Sequence, residues 1–519
     1  MKTKLIAIAL ILVMTSYASA QEYLEPKCVS IIQNDQANIL KVDDIDGDGV
    51  PNILVGTSIN GNLHNYVYKG ADCTTDWSYI KDGWIFDTLG DVKSFYITDL
   101  SGDGRKQIVL NSIASTKTGS KTPTEYVHVI TNNGVEDWNF NKECGLTHSI
   151  YAEDIDGTGV KNVIMGTMSK KVCALKDSVK QANPVLWTYI ADNPVQYVKS
   201  ADIDGDGSIE TVAYAGKYLI ADMFALDKNG QLKWTANIAD GLYNAALPEK
   251  IIAVDDIDGD GKYETIVGTY KKGAIAYDSM GTLKWSYETQ GPVSSVITSD
   301  LNGDGKKEIL IGAAPNLFAL DTTGRLLWKW TQDTEETIYS MSAADIDGDN
   351  KKEVAVGTTG YIQVIKDGKL LGGWKYAVEI QGSDRNYSQR DAHAVSVYMG
   401  DLDNDGEAEI VGAWNWEEDT IMGNLYTATL RVYEINKNYR PTTTTRPTVT
   451  GPTTTLVNGD ETTSITSPKP RTTTTLDDGE DKEKKGGICC LPMLPAIIAI
   501  TFAFAANIPL AATKKQKRN

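Results

Sequence analysis

An acidic nine-residue turn occurs eight times in this chain, starting at Asp44, Asp99, Asp154, Asp202, Asp256, Asp300, Asp345 and Asp401. Successive starts lie 55, 55, 48, 54, 44, 45 and 56 residues apart. A period of that size marks a repeat architecture, in which each unit buries its apolar face on its neighbours. The fullest copies read Asp-Ile-Asp-Gly-Asp-Gly, then two residues, then Glu. Oxygens at positions 1, 3, 5 and 9 of a Gly-bearing turn suit a hard cation such as Ca²⁺, which takes roughly six to eight oxygen ligands.

A short apolar run follows every turn, as in Ile53-Leu-Val-Gly-Thr57, Val163-Ile-Met-Gly-Thr167 and Val354-Ala-Val-Gly-Thr358. Such runs are too short for helices and read as buried strands. An EF-hand sets its loop between helices and its last acid at about position 12; here a strand follows at once, which argues against that motif. Further along each unit a tryptophan recurs: Trp77, Trp138, Trp187, Trp234, Trp285, Trp328 and Trp374. Three follow a glycine turn, as Gly230-Gln-Leu-Lys-Trp234, Gly281-Thr-Leu-Lys-Trp285 and Gly324-Arg-Leu-Leu-Trp328. Recurrence at one repeat position marks them as packing residues between units. Each unit then holds four strands, and four-stranded units of about fifty residues describe an all-β eight-bladed propeller, with a seven-bladed ring as the alternative. The eighth unit lacks a following Trp strand, so Cys28–Ile32 is expected to complete it and close the ring. Closure removes an open sheet edge that would invite aggregation.

The turns resemble the FG-GAP repeats of integrin α-chain propellers and their prokaryotic relatives. The Gly-x-Leu-x-Trp strands are similar to the tryptophan-docking repeats of pyrroloquinoline-quinone-type eight-bladed propellers. The resemblance covers roughly residues 23 to 437 and implies a propeller with calcium at its turns.

The expected Ca²⁺ ligands run turn by turn. The first turn offers Asp44, Asp46, Asp48 and Asn52; the second offers Asp99, Ser101, Asp103 and Gln107. The third has Asp154, Asp156 and Asn162, with Thr158 where an acid belongs. The fourth has Asp202, Asp204, Asp206 and Glu210; the fifth, Asp256, Asp258, Asp260 and Glu264. The sixth has Asp300, Asn302, Asp304 and Glu308; the seventh, Asp345, Asp347, Asp349 and Glu353; the eighth, Asp401, Asp403, Asp405 and Glu409. The second and third are the poorest. An Asp-rich turn can also cap its own backbone without an ion, but carboxylates clustered without a cation repel one another, and the ion's expected role is structural.

The formal charge of −19 disfavours nucleic acid. Eight Ca²⁺ would bring it to about −3, so the metal turns account for most of the acidity. Lys2 and Lys4, the apolar stretch Leu5 to Met14 and Ala18-Ser-Ala20 read as a secretory signal over residues 1–20. Cys28 and Cys73 flank the first turn as Cys144 and Cys173 flank the third, which suggests the disulfides Cys28–Cys73 and Cys144–Cys173, permitted by export. The propeller is expected over residues 21–438. Residues 439–487 form a Thr- and Pro-rich stalk, with 16 Thr among the 35 residues 441–475. Residues 488–513 are long and apolar enough for one membrane span, and the basic residues 514–519 place the C-terminus in the cytoplasm. A cleaved, lipidated sorting signal carrying Cys489 and Cys490 is the alternative.

Catalytic signals are sparse. The four histidines, His64, His128, His148 and His393, show no zinc spacing, and no Gly-x-Ser-x-Gly or phosphate loop occurs. A long connection before the last turn carries Arg385, Tyr387, Arg390, Asp391 and His393, and Tyr243 lies in the equivalent place of another unit. These are expected on the face opposite the turns, with Trp414 and Trp416 in a loop nearby. Asn386-Tyr-Ser388 there is a glycosylation sequon. The expectation is a cell-surface, membrane-anchored propeller for adhesion to an extracellular protein or glycan. The alternatives are a polysaccharide lyase, a quinone-dependent oxidoreductase or a structural envelope protein.

Overall fold

The computed structural model describes residues 24–435, apart from 34–35, 58–62, 70–71, 82–93, 115–123, 141–143, 177–183, 218–219, 239–249, 376–392 and 421–422. The expected signal, stalk, anchor and tail lie outside these residues, as do Tyr243, Arg385, Tyr387, Arg390 and Asp391. Among the described residues no helix is long and apolar enough to cross a membrane.

The described strands form eight antiparallel four-stranded sheets, one per acidic turn. Blade 5 is typical: Ile252–Asp255, Glu264–Gly268, Ala274–Tyr277 and Leu283–Tyr287 pair in that order. Its second strand is wholly buried while its fourth is half exposed. This matches the sequence, where β-branched runs fill the second strands and polar residues alternate along the outer ones. The first strands of neighbouring blades adjoin one another and form the inner wall.

Eight apolar clusters make the core, each shared by two consecutive blades. The eighth joins the last blade to the first through Leu402, Val411, Ala413 and Leu430 against Ala37, Leu40, Ile53 and Val55. The blades therefore circularise, and the seven-bladed alternative falls. As expected, the N-terminal strand, Leu24–Gln33, is the outer strand of blade 8, paired with Gly423–Ile435. The disulfides Cys28–Cys73 and Cys144–Cys173 both form. The first ties the N-terminal strand to blade 1.

The tryptophans dock between blades as the repeat pattern implies. Trp187, Trp234 and Trp285 each donate their indole N–H to a carbonyl in the next blade's Asp-x-x-Gly turn: Lys228 at 2.9 Å, Ser279 at 2.9 Å and Thr322 at 3.0 Å. The glycine of that turn has φ of +76° at Gly230, +73° at Gly281 and +80° at Gly324. A Cβ at any of the three would lie within 2.7 Å of the docked indole. Glycine is thus required twice, for its left-handed backbone and for its missing side chain.

Trp414 does not begin a loop; it lies in the strand Glu409–Thr420 and is fully buried between blades 7 and 8. The polar run after it stays extended because it pairs along its length with Gly423–Ile435.

Candidate functional site

Each acidic turn joins the first and second strands of its blade and is held by its own backbone. The position-1 carboxylate accepts the main-chain N–H of position 6 in every turn and that of position 4 or 5 in most, as Asp44 does from Gly47 at 2.8 Å and Gly49 at 3.0 Å. The position-5 carboxylate accepts the N–H of position 7, as Asp260 does from Lys262 at 2.8 Å. Positions 4 and 6 have positive φ, and where glycine is replaced the substitute is asparagine: Asn350 at +63° and Asn404 at +59°. Asparagine enters that region more readily than other side-chain-bearing residues.

Position 9 has a task the sequence did not disclose. In all eight turns its side-chain oxygen accepts the main-chain N–H of position 2, over distances from 2.7 Å (Leu100 to Gln107) to 3.4 Å (Ile257 to Glu264). It is buried in every copy. Asn, Gln and Glu all supply this acceptor, which explains their interchange.

The turns are also linked to one another. The N–H of position 8 donates to the position-2 carbonyl of the preceding blade: Lys161 to Leu100, Tyr263 to Ile203, Lys307 to Ile257 and Lys352 to Leu301, at 2.8–2.9 Å. Main-chain hydrogen bonds of this kind thus join blade 2 to blade 3 and run from blade 4 through blade 7.

Five turns bring three carboxylate oxygens within 4.8 Å of one another. They are Asp44, Asp46 and Asp48; Asp202, Asp204 and Asp206; Asp256, Asp258 and Asp260; Asp345, Asp347 and Glu353; and Asp401, Asp403 and Glu409. Asp204, Asp258, Asp401 and Asp403 each have a buried Oδ1 with no hydrogen-bond donor. A desolvated carboxylate oxygen without a donor is costly unless a cation meets it. The donor set is all oxygen, which fits a hard divalent ion. The other predicted ligand sets, on the second, third and sixth turns, do not gather three carboxylates in this way, their Ser101, Gln107, Thr158, Asn162 and Asn302 being neutral.

Among the described residues, four turns hold a lysine. Lys233 Nζ lies 2.6 Å from Asp204 Oδ2 and 2.9 Å from Glu210 Oε1. Lys284 repeats this at 2.8 Å from Asp258 and 2.6 Å from Glu264. Lys366 meets Asp347, Asp349 and Glu353 at 2.7, 2.9 and 2.6 Å. Lys27 meets Asp403 at 2.7 Å, the exposed Glu434 at 2.7 Å and Glu409 at 3.8 Å. Burial pushes the carboxyls of Glu210, Glu264 and Glu353 up, and the lysine hydrogen bonds pull them partly back. Burial alone would lower the Lys233, Lys284 and Lys366 ammoniums, but their carboxylate partners outweigh it and leave them raised.

A second cluster, carried by the inner strands, has no motif to announce it. The residues just before the turns, and two before them, face the axis: Asp43, Glu153 and Asp255 from the former set, and Tyr96, Tyr151, Lys199 and Tyr398 from the latter. Tyr96 and Tyr151 pack ring to ring at 4.5 Å. Asp255 takes Lys307 Nζ and Thr298 Oγ1, each at 2.6 Å. Lys199 donates to the Val254 carbonyl, and burial lowers its ammonium while Asp255 pulls the other way. Period-2 alternation alone would have marked these positions as facing one side. Their convergence comes only with closure. His393 opens an inner strand, His393–Gly400, and its side chain lies outside the described residues.

A family model described as the lambda-carrageenase beta-propeller domain matches residues 265–370. That stretch runs from blade 5 into blade 7, about a fifth of the chain, and agrees with the propeller fold. No curated relative matches the chain. Among solved structures, BBS1N in complex with ARL6DN aligns at a TM-score of 0.44 and 11% identity, over 78% of this chain and 93% of that one. The Dos1 propeller aligns at 0.44 and 10%, over 78% and 95%. The V. cholerae biofilm matrix protein Bap1 aligns at 0.35 and 14%, over 81% and 89%. At TM-scores below 0.5 these likenesses carry neither fold nor function to this chain.

Proposed function

We propose that this chain is a cell-surface propeller whose acidic turns bind Ca²⁺ structurally and whose ring recognises an extracellular protein or glycan. The supporting observation is the set of oxygen-only turns with buried carboxylate oxygens that lack a donor. The predicted export signal leads to surroundings where turns with Kd of about 10⁻⁴ to 10⁻³ M are occupied. On this reading residues 488–513 anchor the chain and the Thr-rich segment spaces the ring from the membrane. Nucleic acid is disfavoured as a partner by the charge of −19.

A second reading, a polysaccharide-processing enzyme, draws on two observations. The matching family model belongs to a carrageenase, and the inner strands set Lys199 beside Asp255 and Tyr151 beside Glu153, residue types that serve acid–base chemistry. Screening the secreted chain with Ca²⁺ against immobilised glycans, and against soluble polysaccharides for new chain ends, separates the two. Retention without cleavage supports recognition; cleavage abolished by Lys199→Met supports the enzyme. If neither occurs and chelation leaves the melting temperature unchanged, the recognition and cation readings both fall.

A further inference from the structure

The contact between positions 3 and 9 obeys a rule across six blades. In blade 3 the Asn162 amide donates to Asp156 at 3.4 Å, and in blade 6 the Asn302 amide donates to Glu308 at 3.1 Å. One partner is a carboxamide, so the two side chains meet directly. In blades 4, 5, 7 and 8 both positions are carboxylates, and there a lysine ammonium bridges them. The lysines come from two places. Lys233, Lys284 and Lys27 sit at the bulge of their blade's outer strand, although Lys27 reaches it from 376 residues away, and Lys366 ends a third strand instead. In blade 7 the same charge is supplied from a different strand, so the site and not the repeat position alone selects it.

In five of these six blades the charge then comes out level, blade 3 carrying only Asp154 and Asp156. Positions 1, 3, 5 and 9 of blades 4, 5, 7 and 8 carry four carboxylates, which one lysine reduces to a formal −3. Blade 6 reaches −3 without help, from Asp300, Asp304 and Glu308. In blades 4, 5 and 8 the lysine takes Oδ2 of the position-3 aspartate and leaves Oδ1 buried without a donor. One oxygen of each carboxylate thus meets the lysine, and the other is buried with no donor.

We propose that Lys27, Lys233, Lys284 and Lys366 are built-in counter-cations that tune these turns for a divalent ion. Each neutralises the buried position-9 glutamate and turns the free oxygen of position 3 toward positions 1 and 5. It also caps the site's charge, and so keeps its affinity for the ion low. The inference rests on the cation reading of the turns. Divalent affinity in such loops follows the count of ligand charges, and one charge removed several ångströms from a dication is felt even through solvent.

The test uses the full chain, Lys284→Gln, and the double variant Lys284→Gln with Glu264→Gln, which restores the charge with amides as in blade 6. Calcium titration by calorimetry and melting in chelator are read together. Lys284→Gln should melt lower than wild type without metal, and should show one site bound about tenfold more tightly or better. The double variant should return both readings toward wild type. If Lys284→Gln weakens the site, the lysine positions ligands instead and the proposal is overturned. If both readings stay unchanged, Lys284 is an ordinary surface ion pair, and the proposal is again overturned. Should no protein bind calcium while the chelated melting order still holds, the cation reading fails but the counter-cation role stands. Lys233→Gln with Glu210→Gln repeats the test in blade 4 if the blade 5 variant does not fold.

Discussion

Replacing Gly281 with alanine tests whether tryptophan docking joins the blades. Gly281 has φ of +73°, and its Cβ would lie 2.5 Å from Cε3 of Trp234. Gly261, in the same blade, has φ of +82° and nothing within 4 Å of its Cβ. Forcing alanine into the left-handed region costs about 1–2 kcal/mol at either site. Only Gly281→Ala adds a collision with a packed ring, about 1–3 kcal/mol more. For roughly 400 folded residues the unfolding entropy is about 0.8 kcal/mol/K, so each kcal/mol moves Tm by about 1 °C. Scanning calorimetry in chelator should therefore show Gly261→Ala melting about 1–2 °C low and Gly281→Ala about 2–6 °C low. Trp234→Leu removes the ring, so its combination with Gly281→Ala should fall short of additivity by about 1–3 kcal/mol. Equal losses at the two glycines, with additive double variants, would refute the docking role.

Chelation should lower Tm. If the five gathered turns bind with Kd near 1 mM, 5 mM Ca²⁺ contributes about 1 kcal/mol each, or about 5–6 °C together, and a Tm indifferent to EDTA argues against bound ions. Without metal, stability should first rise and then fall as the pH is lowered. Burial raises Glu210, Glu264, Glu308, Glu353 and Glu409, so they take up protons in the folded state first and stability grows as pH falls from 7. Asp300 and Asp321 oppose them: burial pushes both up, but main-chain N–H groups, joined at Asp321 by side-chain hydrogen bonds, hold both down, so their contribution is lost as pH falls below about 4. A monotonic decline from pH 7 in a calorimetric series would contradict this assignment. Finally, a chain begun at Gln36 loses the outer strand of blade 8 and exposes the 13-residue strand Gly423–Ile435 as an edge. Sedimentation should show concentration-dependent association, and a stable monomer would count against strand closure.

The repeat made the fold legible because its signals are local. Asp-x-Asp-Gly-Asp-Gly and Gly-x-Leu-x-Trp each specify a turn, and their spacing counts the blades. The two disulfides were legible for the same reason, since each pair brackets a turn at like positions. What could not be read depends on chain segments meeting across the ring. Lys27 and Asp403 are 376 residues apart, and nothing beside either names the other. Position 9 looked like a plain ligand because its bond to the position-2 N–H exists only once the turn has formed. Trp414 looked like part of a loop because acids follow it, and strand pairing overrode composition there.

The seam between blades 8 and 1 shows how a repeat compensates where its own devices stop. Elsewhere position 4 is glycine, and at Gly102, Gly205 and Gly303 a Cβ would press on the position-6 carbonyl of the next blade, from 2.9 to 3.2 Å away. At the seam position 4 is Asn404, and its amide donates to that same carbonyl, of Gly49. A close approach that elsewhere excludes a side chain is here met by one that hydrogen-bonds to it. Asn415 adds a reciprocal pair with Ala37, accepting its N–H at 2.8 Å and donating to its carbonyl at 2.7 Å. Lys27 and Cys28, adjacent on the N-terminal strand, then bind it to Asp403 of blade 8 and Cys73 of blade 1. In seven blades the fourth strand follows the third in sequence, but in blade 8 it arrives from the far end of the chain, and its loop-closure entropy is correspondingly large. The covalent and ionic ties on this strand fall where that entropy must be offset. The lysine that meets the last acidic turn and the cysteine that ties the strand to blade 1 occupy neighbouring residues, so the strand that closes the propeller also brings that turn its lysine.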